Sequence, residues 1–372
     1  MTSPATLILC LLFIGEPPSV IAHVPVYDVD GRFGGWPANH GIWAWGNEIV
    51  VGFSAGHFKD LGPGRHAIDR DRPEEHLLGR SHDGGRTWTI ENPGKKGMLV
   101  GTKGMRHGTL PPDVSEPAVS DCPGGIDFTH PDFALTARMS GNDGGESRFY
   151  YSIDRARTWN GPFRLPRFGQ KGIAARTDYI VNGKHDCLLF LTASKTNGKE
   201  GRVICARTLD GGKSWSFVSF IGAEPAGYAI MPSTVRLGPE RLVTAIRCRE
   251  GNKSWLEAHR SNDDGRSWSE LSLPAPDTGE GNPPALIRLR DGRLCIAYGY
   301  RAPPFAVHAR LSRDDGWSWS EPFILRGGGA GRDLGYPRSV ERPDGKIVTV
   351  YYFTATTDVD RTIQATIWDP GK

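Results

Sequence analysis

One eight-residue pattern recurs five times along this chain of 372 residues, and it limits the possible folds more than any other feature. It first reads Ser81-His82-Asp83-Gly84-Gly85-Arg86-Thr87-Trp88, then Ser152-Ile153-Asp154-Arg155-Ala156-Arg157-Thr158-Trp159 and Thr208-Leu209-Asp210-Gly211-Gly212-Lys213-Ser214-Trp215. Further copies occupy residues 261–268 and 312–319. The consensus is S/T-x-D-x-G-x-S/T-W. A tight turn between strands needs a residue tolerant of positive φ, which glycine supplies, and an Asp that bonds back to the turn's own amides. The tryptophan then packs the turn against its sheet. The second copy has Ala156 in place of the glycine, which predicts a less ideal turn there. The aspartates of such turns are structural and make poor catalysts.

The tryptophans are 71 residues apart from Trp88 to Trp159 and 51 apart from Trp268 to Trp319. Those intervals suit four-stranded propeller blades with one long insertion near 89–128. Short apolar runs at 49–53, 187–191, 242–246, 294–298 and 347–351 are rich in β-branched and aromatic residues and read as strands buried on both faces. The last run has no turn motif after it, but 362–368 supplies a further strand. The expected fold is therefore all-β, a single six-bladed β-propeller over residues 23–372. Residues 23–29 would form the outermost strand of the last blade, closing the ring and removing exposed sheet edges.

Composition agrees and excludes some partners. Glycine at 48 and tryptophan at 11 fit many tight turns between aromatic-rich strands. Lys plus Arg total 45 against 42 acidic residues, a net charge of +3 with no basic run, so nucleic acid is excluded as a partner. Residues 5–15 are apolar but too short to span a bilayer, which needs about 20. Followed by Val20-Ile21-Ala22, they predict a signal peptide over residues 1–22, a mature start at His23 and a secreted or periplasmic protein. No other segment is long and apolar enough to cross a membrane. Cys10 would leave with the signal. Cys122, Cys187, Cys205, Cys248 and Cys295 have no C-x-x-C spacing, which argues against a zinc site or disulfide framework and for buried thiols. Whether Cys187 and Cys205 face each other is left open. No metal or cofactor is expected, and the chain reads as a monomer.

In a propeller the inner strands begin near the axis, so the residues just before them converge on one mouth. Aligning the blades on strand starts gives Trp36-Pro37-Ala38, His130-Pro131-Asp132, Arg176-Thr177-Asp178, Met231-Pro232-Ser233, Asn282-Pro283-Pro284 and Tyr336-Pro337-Arg338. Proline at the first strand residue costs no ladder bond, and its recurrence supports the register. The expected ring is His130, Asp132, Arg176, Asp178, Asn282, Tyr336 and Arg338. Exits of the second strands add Arg247, Arg249, Glu250 and Arg301, with His57 and Tyr352 at the same rim. Convergent arginines present planar forks that bind a carboxylate bidentately, so the ring reads as a receptor for an acidic ligand.

The repeats, known as Asp boxes or BNR repeats, and this ring resemble the sialidase superfamily over essentially the whole mature chain. The resemblance implies an exo-α-sialidase-like enzyme with an arginine triad for the sugar carboxylate, a tyrosine nucleophile assisted by a glutamate, and an Asp acid/base. Such enzymes depart from the two-carboxylate glycosidase scheme. Gly335-Tyr336-Pro337-Arg338-Ser339-Val340 is similar to the family's last-blade segment and places Tyr336 at the tyrosine. Arg247 (or Arg249) and Arg301 match two of the three arginines. The third has no counterpart, because Gly35 stands two residues before the first-blade proline; Arg176 or Arg338 would replace it. Ala229-Ile230-Met231-Pro232 occupies the glutamate's place, leaving Glu250 or Glu200 to approach from the rim. No motif places the Asp acid/base; Asp60, Asp69 and Asp71 lie in the first-blade loop, and His130 or Asp132 would replace it.

The expected function is a secreted glycoside hydrolase that removes a terminal acidic sugar. Tyr336 would be the nucleophile, Arg247, Arg301 and Arg338 the clamp, and Asp132 or His130 the proton donor. The alternatives are a polysaccharide lyase or uronic-acid-directed hydrolase, with Tyr336, His40, His57 or His130 moving the proton, and a non-catalytic glycan-binding propeller. Hydrolysis requires at least two arginines aimed at one spot and Tyr336 within reach of a carboxylate. Arginines all tied to Asp132, Asp178 or Glu250 would favour binding.

Overall fold

The computed structural model describes residues 16–62, 64–100, 115, 117–355 and 360–372. Six antiparallel sheets follow one another along the chain as the blades of a β-propeller. Blade 4 shows the plan most simply. Tyr228–Arg236 is innermost, followed outward by Leu242–Glu250, Lys253–Ser261 and Ser269–Ala275. The second strands, Glu48–His57 in blade 1, Asp186–Ser194 in blade 3, Leu294–Tyr300 in blade 5 and Ile347–Phe353 in blade 6, contain the apolar runs expected from the sequence. Their side chains are almost wholly buried, because each strand has a partner on both sides and a neighbouring blade on both faces. Apolar clusters fill the space between successive blades, as where Phe53 and Val51 of blade 1 meet Tyr352 and Val350 of blade 6. Among the described residues, no helix is long and apolar enough to cross a membrane, and no three His, Cys, Asp or Glu gather as metal ligands.

Each eight-residue motif ends a third strand and turns the chain into the fourth. In the first, Ser81 Oγ donates to Asp83 Oδ1 at 2.8 Å, and the Gly85 amide donates to Ser81 Oγ at 2.8 Å. Asp83 also accepts from the Thr87 amide at 2.9 Å and Thr87 Oγ1 at 2.7 Å. Burial opposes ionisation, yet these bonds outweigh it and hold the Asp83 carboxyl down at about 2. The second copy keeps the same bonds, with the Ala156 amide 2.9 Å from Ser152 Oγ, but Ala156 has φ 63°, where a Cβ is strained.

The inner strands are broken where they approach the axis. In blade 1, Arg32–Gly35 gives way to a helical turn at Pro37–His40 before Ile42–Trp45 resumes pairing. Blade 3 is likewise split into Ile173–Ala174 and Tyr179–Gly183. Blades 4 and 6 carry bulges between Ile230 and Ser233 and between Gly335 and Arg338. Trp36, Met231 and Tyr336, each directly before a proline, all lie in the left-handed region with φ 58°, 55° and 50°. Bulges of this kind re-aim side chains at sites, and the strain of each left-handed residue, of order 1 kcal/mol, must be held by its surroundings.

Blade 2 departs from the alignment. Its described strands are Ala134–Met139, Ser147–Ser152 and Asn160–Leu165, and the Asp box follows the second of these. Ala134–Met139 is therefore the equivalent of a second strand, entering from the Asp-box side. The five cysteines are free and buried, and Cys205 pairs with Phe190 while Cys187 pairs with Thr208, so the two do not face each other.

The ring closes when Ser19–Tyr27 pairs antiparallel with Thr362–Asp369. The closing strand thus starts four residues before the expected His23, and a cut after Ala22 would remove the pairs Ser19 with Asp369, Val20 with Trp368 and Ala22 with Ile367. The rest of the proposed signal, residues 1–15, lies outside the described residues. Val26 and Tyr27 are buried against Phe53 and Ile367, each worth about 2 kcal/mol. A chain beginning at His23 should fold with a modestly lower melting temperature. One beginning at Asp28 loses both anchors and should melt roughly 10 °C lower or more, as thermal denaturation would show.

Candidate active site

A cavity of about 260 Å³ opens at the mouth where inner strands begin and second strands end, opposite the Asp boxes. Its walls include Trp36 and Asn39 of blade 1, Arg176 and Glu200 of blade 3, Tyr228 and Arg247 of blade 4, Arg301 after the second strand of blade 5, and Tyr336 of blade 6. Asn142 of blade 2, Arg332, and His66 and Arg70 from the first-blade loop complete it. The volume is near the lower end of the range for small-molecule sites. Ala38, Ile230 and Met231 pack with Tyr228 and Tyr336 as an apolar floor.

Tyr336 occupies the middle of a positive cluster. Its Oη accepts a hydrogen bond from Arg247 Nη1 at 3.1 Å and the Arg301 guanidinium lies 5.2 Å from its ring centre, but, contrary to the expectation for hydrolysis, no carboxylate among the described residues is hydrogen-bonded to it. Burial raises the phenol's pKa, but the charges of Arg247, Arg301 and Arg176 outweigh it, so Tyr336 ionises more readily than an ordinary tyrosine. Asn282 supports the strained backbone. Its Oδ1 accepts the Tyr336 amide at 2.9 Å and the Gly299 amide at 3.1 Å, while its Nδ2 donates to the Leu334 carbonyl at 3.0 Å. The buried Asn282 thus positions Tyr336 and does not itself face the cavity.

Three arginines predicted for the ring, Arg176, Arg247 and Arg301, meet here. Arg301 is 2% exposed and is oriented by the Leu334 carbonyl, 3.0 Å from Nε, and by Tyr352 Oη, 2.6 Å from Nη2. Arg247 is also buried, and its Nε has no hydrogen-bond partner within the protein. Arg176 is paired with Glu200 at 2.5 Å. Arg247 and Arg301 therefore face the cavity held by neutral groups, and their charge is available to an anion. Arg70 and Arg332 at the rim are paired with Glu74 and Glu280. An arginine at the position of Gly35 is precluded by packing, since a Cβ there would sit 2.4 Å from the Phe33 ring.

Several expected residues lie elsewhere. His130 and Asp132 precede the second strand of blade 2, on the Asp-box side; Asp132 Oδ1 binds Arg155 Nε at 2.6 Å inside the second box. The proline alignment misassigned them, because in this blade the proline precedes a second strand. Glu250 is exposed at a hairpin end, and Arg249 bonds the Gly251 carbonyl in the same turn, so neither reaches the cavity. His57 contacts Arg32 at 3.1 Å at the outer end of its strand, and buried His40 bonds Ser54 Oγ at 3.0 Å. Asp69 and Asp71 pair with Lys59, and Asp60 caps the Gly62 amide.

Arg338 and Asp178 lie deeper on the axis, in a second cavity of about 300 Å³ opening toward the other face. Arg338 donates to the Ala38 and Thr177 carbonyls, tying blade 6 to blades 1 and 3. Asp178 accepts from the Thr234 amide and hydroxyl, yet burial pushes its carboxyl up to about 7. A carboxyl raised on folding stabilises the fold below its unfolded value and loses that contribution as pH rises through 7. The melting temperature should accordingly fall between pH 5 and 8, and Asp178→Asn should flatten that dependence.

The residues the sequence reading missed are His66, Asp333, Arg70 and Arg332. None carries a motif: they come from loops whose ends meet only when the ring closes. The ionisation of Tyr336 is directly checkable through tyrosinate absorbance at 295 nm. The lowest-pH step should vanish in Tyr336→Phe and move upward in Arg247→Met.

The fold is similar to that of known structures. A structure from Dyadobacter fermentans, a protein of unknown function, superposes with a TM-score of 0.71 at 18% identity, covering 95% of this chain and 99% of that one. An α-L-arabinofuranosidase from Fusarium graminearum gives 0.56 at 12% identity, covering 94% and 97%. A Trypanosoma rangeli sialidase in complex with sialic acid gives 0.53 at 13% identity, covering 95% of this chain and 59% of its own. No curated protein sequence matches. The model of the BNR repeat-like domain matches residues 133–349, more than half of the chain, and spans four of the five Asp boxes fully within the blades just described. The chain belongs to the BNR repeat-like domain family.

Proposed function

We propose that this chain is an exported, monomeric glycoside hydrolase of the sialidase type that releases a terminal sugar bearing a carboxylate, with sialic acid as the first candidate. The observation that carries the reading is the contact of Tyr336 Oη with Arg247 inside a cavity shared with Arg301 and Arg176. Arg247 and Arg301 would hold the sugar carboxylate through charge-assisted forks. The same charges favour the phenolate, and a phenolate is a competent nucleophile where a phenol is not. Arg176, occupied by Glu200, replaces the first-blade arginine in position more than in freedom. The glycan-cleaving activities named for two structural neighbours support the reaction class.

The test is product release from sialosides and from uronate-containing oligosaccharides by the wild type, Tyr336→Phe and Arg247→Met. Sialic acid release is expected, lost in Tyr336→Phe. In Arg247→Met, KM should rise roughly 10- to 100-fold, the worth of hydrogen bonds between charged partners. Unsaturated uronate products would assign a lyase instead, and binding without turnover would assign a glycan-binding propeller.

A further inference from the structure

His66 sits in the loop between the second and third strands of blade 1 and lines the same cavity as Tyr336. Its Nδ1 is 2.6 Å from Asp333 Oδ1, and Asp333 Oδ2 accepts the Ala67 amide at 3.0 Å. Asp333 is buried, accepts from Tyr352 Oη at 2.7 Å and lies 3.3 Å from Arg361 Nε. With Nδ1 committed to Asp333, Nε2 is the ring nitrogen available to a ligand. Trp36 packs edge-on against the imidazole at 5.2 Å and limits its rotation. A carboxylate that fixes a histidine's tautomer and orientation is a recurrent device of proton-transfer sites.

We propose that His66, oriented by Asp333, moves the proton in the hydrolysis proposed above. The inference rests on that hydrolase reading. With His66 protonated and Tyr336 ionised, the Tyr336 phenolate bonds to the anomeric carbon while the bond to the leaving oxygen breaks, and Nε2–H passes to that oxygen. Water then attacks the anomeric carbon, its proton goes to Nε2, and the phenolate departs. The sum is glycoside plus water giving free sugar plus alcohol. Burial holds His66 below an ordinary histidine although Asp333 opposes it, with Arg301 and Arg70 adding to the lowering.

The test compares His66→Gln and Asp333→Asn with the wild type in the full chain. Two glycosides of whichever acidic sugar the wild type releases are used: the 4-methylumbelliferyl glycoside, whose leaving group needs no proton, and the methyl glycoside, whose leaving group does. His66→Gln should lose about 10²- to 10⁴-fold in kcat/KM on the methyl glycoside and less than about 10-fold on the umbelliferyl one. Its profile should also lose the limb set by the imidazole. Asp333→Asn should move in the same direction; because Asp333 is buried among several partners, His66→Gln, whose ring lies at the cavity wall, decides if Asp333→Asn fails to fold. Equal losses on both glycosides, or an unchanged pH profile, would overturn the assignment while leaving the hydrolase reading intact. A wild type that cleaves neither glycoside would overturn both.

Discussion

Everything at the mouth of this molecule depends on one pairing, that of Ser19–Tyr27 with Thr362–Asp369. The cavity draws side chains from every blade, and no two neighbouring wall residues need be close in sequence. Their distances are set by how six sheets pack face to face around an axis, and that packing is fixed only when the last sheet receives its outer strand. Tyr336 is two strands inward from that closure, in the same sheet. The Gly34 amide bonds the Arg361 carbonyl across the junction of blades 1 and 6, so the first-blade loop bearing His66 is registered against Asp333 by the same event.

The electrostatics of the cavity follow from unequal pairing. Burying a guanidinium is costly unless hydrogen bonds or a counter-charge compensate. Arg176, Arg70 and Arg332 are compensated by carboxylates, whereas Arg247 and Arg301 rely on a phenol, a tyrosine hydroxyl and a carbonyl. Neutral partners leave the positive potential in place. It acts on whatever lies between them, which in this protein is the Tyr336 hydroxyl. Asp333 lies behind this layer, ionised and saturated with donors, so it steadies His66 and Arg301 without cancelling the field in front.

Much of this was legible in the residues. Five Asp boxes and the runs between them specify blade number and strand order, and the second-strand exits led to Arg247 and Arg301, although Arg249, Glu250 and His57 from the same exits do not line the cavity. The last-blade segment led to Tyr336. Where the periodicity was interrupted, the reading failed. His130-Pro131-Asp132 imitates the inner-strand signature, but the described part of blade 2 begins with a second strand, and the pair falls on the opposite face with Arg155. Arg338 was placed correctly along its strand, yet the bulge after Gly335 turns alternate side chains to different depths, and the arginine lies below the cavity floor.

The sequence by itself determined the fold, since turn chemistry and buried strand runs are local properties repeated often enough to exclude other architectures. It also determined that arginines and a tyrosine would gather near one mouth. Only the tertiary structure decided which of them share a cavity, which are neutralised by carboxylates, and that a histidine from a loop without any motif would meet a buried aspartate some 267 positions away. The physical reason is that local patterns specify where a residue sits in its own sheet, whereas its partner depends on the packing of separate sheets around a closed ring.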